Sequence, residues 1–506
     1  MGLVKKDALR TTLISYAGLV LGYLNKALLF IIFLSTVQIG LVNLLTTTGL
    51  LFAQLSNLGS IYVTWRFFPF FRNEAKQHYG FLLFNLLIVL FGVVLCTGLY
   101  GIFNQEIGAY FQDKSPLFNQ YAWWVVPVGV GNVLFMLFEN HMRGMFKNIL
   151  PVFLQDIGLR MITTLLLVMY ALKFISFEMF LTLLMLCNLL PALVLMGYLI
   201  YHQELRFSFK HITIPKRFRK IILSFSLFSY INTLATMVVV TMDAVMIGGM
   251  IGLAATGIYT TMVQVTSAVL IPFRAMTRVS SPIVAKLWKD KDMKGLQEIY
   301  QKSSGAGLFI GLFSFLGVWL PVHELFSFLK PEFNAGIPVL FFLLLGRVVD
   351  MYCGLNGIIF ATSRKYKYDL LFTVFLCAGI YALNRLLIPR YGIAGVGFAT
   401  GFIFVFYNIA RTMYIYWVYQ LNPFHWGHLK PLLVFFGVIG IYYLSVYFFP
   451  FYSESTTISK LLRIACIEAL VLVGFVLPVL RFNLEPETAG YARNFIHTIK
   501  KKYLTL

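Results

Sequence analysis

A chain of 506 residues that is 59% hydrophobic and 12% charged, with a mean hydropathy of +0.80, has too little polar surface to cover a water-soluble globule. Its formal charge of +21 would suit nucleic acid, but no basic segment carries a nucleic-acid-binding motif, and cationic inner loops are what a multi-pass membrane protein requires. The apolar runs are long and continuous, without period-two alternation, which excludes a strand barrel and points to an all-α integral membrane protein.

At the N-terminus, Lys5, Lys6 and Arg10 precede an apolar run with no small-residue cleavage site, so it reads as an uncleaved first span. A helix needs about 20 residues to cross the hydrocarbon layer. About fourteen transmembrane helices are expected, at roughly 11–34, 40–65, 79–103, 117–138, 150–171, 177–200, 221–247, 252–277, 304–322, 336–361, 368–388, 393–418, 431–449 and 460–480. With an inner N-terminus, this count sends most cations inside. They include Arg66, Arg72 and Lys76, then Arg143 and Lys147, then the cluster from Arg206 to Lys220, and later Arg278, Lys286, Lys289, Lys291, Lys294 and Lys302. Outer loops keep only Lys114, Lys173, Lys330, Arg390 and Lys460. That asymmetry predicts that both termini are cytoplasmic.

The chain also repeats itself. Ile39-Gly40-Leu41 and Ile251-Gly252-Leu253 open the second and eighth spans, and the same offset places Arg66 on Arg278. Phe118-Asn119 and Phe333-Asn334 correspond at nearly that offset. Six helices per copy make the two copies parallel repeats, a transporter signature. The expected organisation is 6+6+2: an N-lobe over 1–201, a basic cytoplasmic linker over 202–220, a C-lobe over 221–420, helices 13 and 14 over 421–480, and a basic cytoplasmic tail over 481–506. The five cysteines (Cys96, Cys187, Cys353, Cys377, Cys466) are scattered through apolar runs, read as buried free thiols, and suggest no metal site.

The stretch Met242–Lys289 joins two spans through Gly248-Gly249-Met250-Ile251-Gly252 and leaves the membrane at Arg274 and Arg278. Within it, Asp243, Ile247-Gly248, Gly257-Ile258-Tyr259 and Ile271-Pro272 resemble the helix 7–8 signature of polysaccharide-export flippases of the multidrug/oligosaccharidyl-lipid/polysaccharide (MOP) exporter superfamily. Where that family often has Asp-Arg, this chain has Asp243-Ala244. Gly40-Leu41 after the first helix and the 6+6+2 arrangement add to the likeness. The resemblance implies two bundles around a central cleft that opens to either side in turn. It also implies a cargo: an undecaprenyl-pyrophosphate-linked oligosaccharide of the O-antigen type, flipped from the inner to the outer leaflet of the bacterial cytoplasmic (inner) membrane.

Ionisable residues deep in spans are costly and therefore functional candidates. The cations are Lys26, Arg160, Arg274, Arg347 and Arg411, with Arg66 and Arg278 at inner helix ends, and the acids are Asp156, Asp243 and Asp350. Surplus cations suit a pyrophosphate. A sugar chain would use Tyr16, Tyr23, Asn25, Asn43, Gln54, Tyr230 and Asn232. The structural alternatives are i,i+4 pairing of Asp156 with Arg160 and i,i+3 pairing of Arg347 with Asp350. Arg385 reads as snorkelling to the interface, and Arg66, Arg278 and Arg411 as inner-surface anchors. Asp243 either caps, pairs or binds a coupling Na+ or H+. Lys26 has no charged neighbour on its own helix and is the leading site residue.

No Walker loop and no large loop domain supports an enzyme. The leading reading is a lipid-linked oligosaccharide flippase with no cofactor, acting as a monomer alongside glycan-assembly proteins and membrane lipids. The alternative is a cation-coupled exporter of the multidrug and toxin extrusion branch, which typically has twelve helices and an acid in helix 1, where this chain has Lys26. A membrane glycosyltransferase or polymerase stands third.

Overall fold

The computed structural model describes residues 2–73, 78–205, 216–365, 367–448, 456–482 and 484. Residues 206–215 of the expected linker and 485–506 of the expected tail lie outside the described residues, as does Lys76. No strand occurs among the described residues. The principal helices are α1 (Arg10–Phe33), α2 (Thr36–Ser56), α3 (Ser60–Phe71), α4 (His78–Ile102) and α5 (Pro116–Gly144). They continue as α6 (Ile149–Ala171), α7 (Phe177–Tyr201), α8 (Lys216–Met250), α9 (Leu253–Val269) and α10 (Ile271–Asp290). The remainder are α11 (Met293–Trp319), α12 (Pro331–Tyr352), α13 (Lys367–Tyr419), α14 (Trp426–Phe448) and α15 (Thr457–Arg481). Among the described residues, eleven helices are long and apolar enough to cross a membrane, or up to twelve with the bent pair α9–α10 taken as one span.

Several elements depart from their sequence-based bounds. The expected second span divides into α2 and α3 at Asn57-Leu58-Gly59, where Leu58 and Gly59 take positive φ. A break in hydrocarbon frees carbonyls, and each must find another donor. Here α8 supplies two: Tyr230 Oη donates to the Leu55 carbonyl at 2.9 Å and Ser226 Oγ to that of Leu58 at 3.2 Å. Asn57 closes the turn, its Oδ1 accepting from the Gly59 N–H at 2.6 Å. The glycine-rich turn after the seventh expected span is tighter than the sequence suggests. The helix runs through Gly248 and Gly249 to Met250, and only Gly252 leaves it, at φ +134°. The ninth expected span begins eleven residues early, at Met293, where the Asp292 side chain caps the Gly295 N–H at 2.9 Å.

Two compact units form, Met1–Thr261 and Met262–Leu506. In the first, Phe67, Phe68 and Phe71 of α3 pack with Phe81 of α4, Phe138 of α5 and Leu195 and Leu199 of α7. Lipid tails are as apolar as leucine, so helices associate where small residues let backbones close in. Gly40 of α2 and Gly257 of α9 meet in this way. A β-carbon at Gly40 would strike the Leu253 carbonyl oxygen, and one at Gly257 the carbonyl oxygen of Thr36. In the second unit α12 packs on α13 through Gly346, Gly397 and Gly401, and α11 approaches the Met351 carbonyl through Gly307.

Substitution at the α2–α9 crossing should therefore act through backbone separation. Gly40→Ala and Gly257→Ala should each lower the unfolding temperature of the detergent-purified chain by several degrees, while Gly98→Ala, which meets open space, should leave it unchanged.

Candidate functional site

Lys26 sits on an irregular piece of α1. Leu24–Leu29 widens into a π turn, and Leu154–Gly158 of the neighbouring α6 does the same. Such turns recur at functional sites because they rotate one side chain out of the helical order. Side chains across the pair hold both in place. Asn25, 2% exposed, donates from Nδ2 to the Arg160 carbonyl at 2.8 Å and accepts at Oδ1 from Thr164 Oγ1 at 2.7 Å. Ser15 Oγ donates to Asp156 Oδ2 at 2.8 Å, and Arg160 bonds the Gly18 carbonyl. Gly18 and Gly22 admit α6: a β-carbon at the former would strike Asp156, and at the latter the Arg160 guanidinium. With Asn25 turned inward, its neighbour Lys26 is exposed. No acid lies within salt-bridge distance of Lys26 among the described residues.

The other sequence-predicted residues fall into two groups. Arg160 pairs with Asp156 at 3.6 Å, the i,i+4 geometry expected of a structural pair. Arg66 lies over the Phe225 ring at 4.3 Å, and Arg347 over Phe404 at 5.4 Å. Asp243 is buried and accepts from Tyr259 Oη at 2.5 Å, so two residues of the helix 7–8 signature bond each other. Asn43 donates to Thr260 Oγ1 at 2.9 Å, Gln54 to Tyr62 Oη at 3.4 Å, and Tyr23 is half-buried. Among the sugar candidates, Asn25 and Tyr230 are thus committed to holding helices. Arg274 and Arg278 are both exposed on α10.

In the second unit Asp350 lies within electrostatic reach of Arg347 on its own helix, Arg411 on α13 and Arg274 on α10. Arg411 is buried, 2.8 Å from Asp369 Oδ1, and lies over Tyr407 at 4.9 Å. Around it, Asn356 Nδ2 donates to Asn408 Oδ1 at 3.0 Å. Asp369 is the partner that sequence reading missed, because α13 begins at Lys367 and the acid looks like part of its solvated first turn.

A second polar cluster was also missed. The Asn73 N–H donates to His78 Nδ1 at 3.1 Å, which leaves Nε2 to donate to Glu204 Oε2 at 3.1 Å. Lys147 lies 3.7 Å from the same carboxylate, and the fully buried His141 ring stacks edge-on to Phe68 at 4.4 Å between centroids. These residues come from four separate segments, so no local spacing announces them.

No protein-family model and no curated protein matches this sequence. Solved structures do match it in fold. The lipid II flippase MurJ, in an inward closed conformation, superposes with a TM-score of 0.68 at 14% identity, over 94% of this chain and 99% of that chain. An inward-facing multidrug resistance MATE family transporter of the MOP superfamily gives 0.64 at 14% identity, over 79% of this chain and 94% of that one. A MOP superfamily transporter from Pyrococcus furiosus, described as having a binding pocket of reverse polarity, gives 0.55 at 13% identity, over 82% and 96%. The fold is the one shared by transporters of this superfamily. The chain is a multi-pass membrane protein.

Two outcomes test these clusters. Asp369→Asn, which removes the carboxylate 2.8 Å from buried Arg411, should cost about 3 kcal/mol in unfolding measurements, and Asp369→Leu with Arg411→Met should restore most of it. The His78 hydrogen bond holds the Glu204 carboxyl below its ordinary value of 4.5. A depressed carboxylate stabilises the fold fully above that ordinary value and loses its contribution as the pH falls through the folded one. Acidification from about pH 7 to about pH 3.5 should therefore lower the unfolding temperature more in the wild type than in Glu204→Gln.

Proposed function

We propose that this chain is a flippase that moves a polyprenyl-pyrophosphate-linked oligosaccharide from the inner to the outer leaflet of a bacterial cytoplasmic membrane. The observation that carries the reading is the exposed Lys26 on its π turn, an unpaired cation where a cation-coupled drug exporter would need an acid. Lys26, with Arg160 and Arg66, in the first unit, and Arg274, with Arg347, in the second, are the cations we assign to the pyrophosphate, and Arg278 is left as an anchor at the inner surface. Tyr23 remains a candidate for the glycan, while Asn43 and Gln54, also candidates, are bonded to Thr260 and Tyr62 in this structure. Asp350, among Arg274, Arg347 and Arg411, is the candidate for a coupling proton or Na+. Asp243 is given the structural role that its bond to Tyr259 supports.

A fourteen-span reading supports the same conclusion. At 53 residues α13 would be about 80 Å long, far more than a hydrocarbon layer of about 30 Å. It contains non-helical Gly392 and counts as two spans, while α11 counts as one despite its charged first turns. With α9–α10 as one span, the total is fourteen in a 6+6+2 order, with both termini cytoplasmic. The coverage of 94% against MurJ and 79% against the MATE transporter favours the longer arrangement. The second reading, a multidrug exporter, is favoured by the likeness to MATE structures.

Deleting the gene should leave a lipid-linked oligosaccharide accumulating in the inner leaflet. Lys26→Ala and Arg274→Ala, at normal membrane levels, should each abolish surface glycan export, with Lys26→Arg retaining it. Wild-type export in both alanine variants would remove the cationic account. Raised drug susceptibility with normal lipid intermediates would establish the exporter instead.

A further inference from the structure

α10 has one buried arc and one cationic arc. Its inner arc places Phe273, Ser280 and Val284 in the protein, and Leu287 and Trp288 pack against a core that includes Tyr300 and Ile359. The outward arc carries Arg274, Arg278, Lys286 and Lys289, all exposed and all within about 120° of one another on a helical wheel. Val279 and Ile283, 69% and 46% exposed, border that arc on one side. Among the described residues, no acid lies within salt-bridge distance of Arg278, Lys286 or Lys289.

The helix also changes direction. Pro272 opens it, and α10 leaves α9 at 52°. From Ile271 to Lys289 a straight continuation would advance about 27 Å along the α9 axis; at this bend the advance is about 17 Å. Under the proposed topology, with α9 crossing the membrane, the bend keeps the cations closer to the membrane level than a straight helix would hold them. The described part of the first repeat is built differently. Its counterpart, α3, buries Phe67, Phe68 and Phe71, and Arg66, which aligns with Arg278, already lies on Phe225. A rigid arc of unpaired cations with an apolar border fits the boundary between phosphate headgroups and acyl chains.

We infer that the outward arc of α10, through Arg278, Lys286 and Lys289, is a docking surface for anionic phospholipid headgroups of the inner leaflet. The inference rests on the proposed topology, which puts this end of α10 at the cytoplasmic face, and it concerns resident lipid and not the transported one. Each added cation near an anionic surface strengthens attraction, so three on one ordered arc give preference for phosphatidylglycerol over phosphatidylcholine.

The test uses the full chain, purified in neutral detergent, with bound lipid counted by native mass spectrometry during titration with phosphatidylglycerol or phosphatidylcholine. The wild type should retain phosphatidylglycerol selectively, and Arg278→Gln/Lys286→Gln/Lys289→Gln should weaken that retention by about tenfold or more. Lys500→Gln/Lys501→Gln/Lys502→Gln, with the same change in net charge, should retain it. Equal loss in the tail variant, or undiminished binding in a monodisperse α10 variant, overturns the proposal. Displacement of the lipid by millimolar inorganic pyrophosphate would also overturn it, by making the arc a site for the cargo's phosphates. Lys26→Ala should bind phosphatidylglycerol normally even where export fails, so loss of the transport reading and loss of this one are separate results.

Discussion

In a hydrocarbon solvent a backbone can leave the helical ladder only where another group takes over its hydrogen bonds. Much of what is distinctive in this molecule follows from that constraint. The interruption between α2 and α3 lies against Tyr230 and Ser226 of α8, which take the freed carbonyls. The widened turns of α1 and α6 share side chains: Asn25 holds the Arg160 carbonyl and Arg160 holds that of Gly18. Irregularity in one helix is therefore fixed by its neighbour, and the two cannot be altered independently. Lys26 owes its exposure to this mutual support, since the adjacent Asn25 is drawn inward by α6.

Several of the cations that the sequence offers within its spans are already engaged in the fold. Arg411 is neutralised by Asp369, Arg160 by Asp156, and Arg66 and Arg347 lie on aromatic rings. Of the candidate site cations, Lys26, Arg274 and Arg278 are exposed without a ring or salt-bridge partner named above. A phosphate-bearing ligand would meet few cations, each on a helix whose geometry is set by other residues. Such a division of labour separates residues that hold position from those that present charge.

The spans were legible in sequence because apolar runs of membrane length have few alternative readings, and most helices fall close to their expected bounds. The break at Leu58 was not, because it depends on donors from α8, more than 150 residues away. Nor was the 52° bend after Val269, although Pro272 marked the place. Charges on one helix were easier to interpret than charges across helices: the Asp156–Arg160 pair was visible as an i,i+4 spacing, but Asp369 and Arg411 are brought together only by the turn of α13. Among amides the sequence could not tell Asn25, whose groups are both bonded within the protein, from one facing a ligand. The repeat likewise aligned Gly40 with Gly252, yet the first serves a helix crossing and the second a turn at positive φ.

Gly392 carries one more implication. It interrupts α13 at φ +57°, with open space where a side chain would begin, and no extended polar loop separates the halves on either side. During synthesis, the cell's insertion machinery meets those halves as one mostly apolar stretch of 53 residues, marked near its middle by Arg385, Arg390 and Gly392. A stretch of that length enters the bilayer most readily as a ready-folded hairpin, both legs together. The reversal at a single flexible residue thereby couples the fate of the two legs from the moment they leave the ribosome.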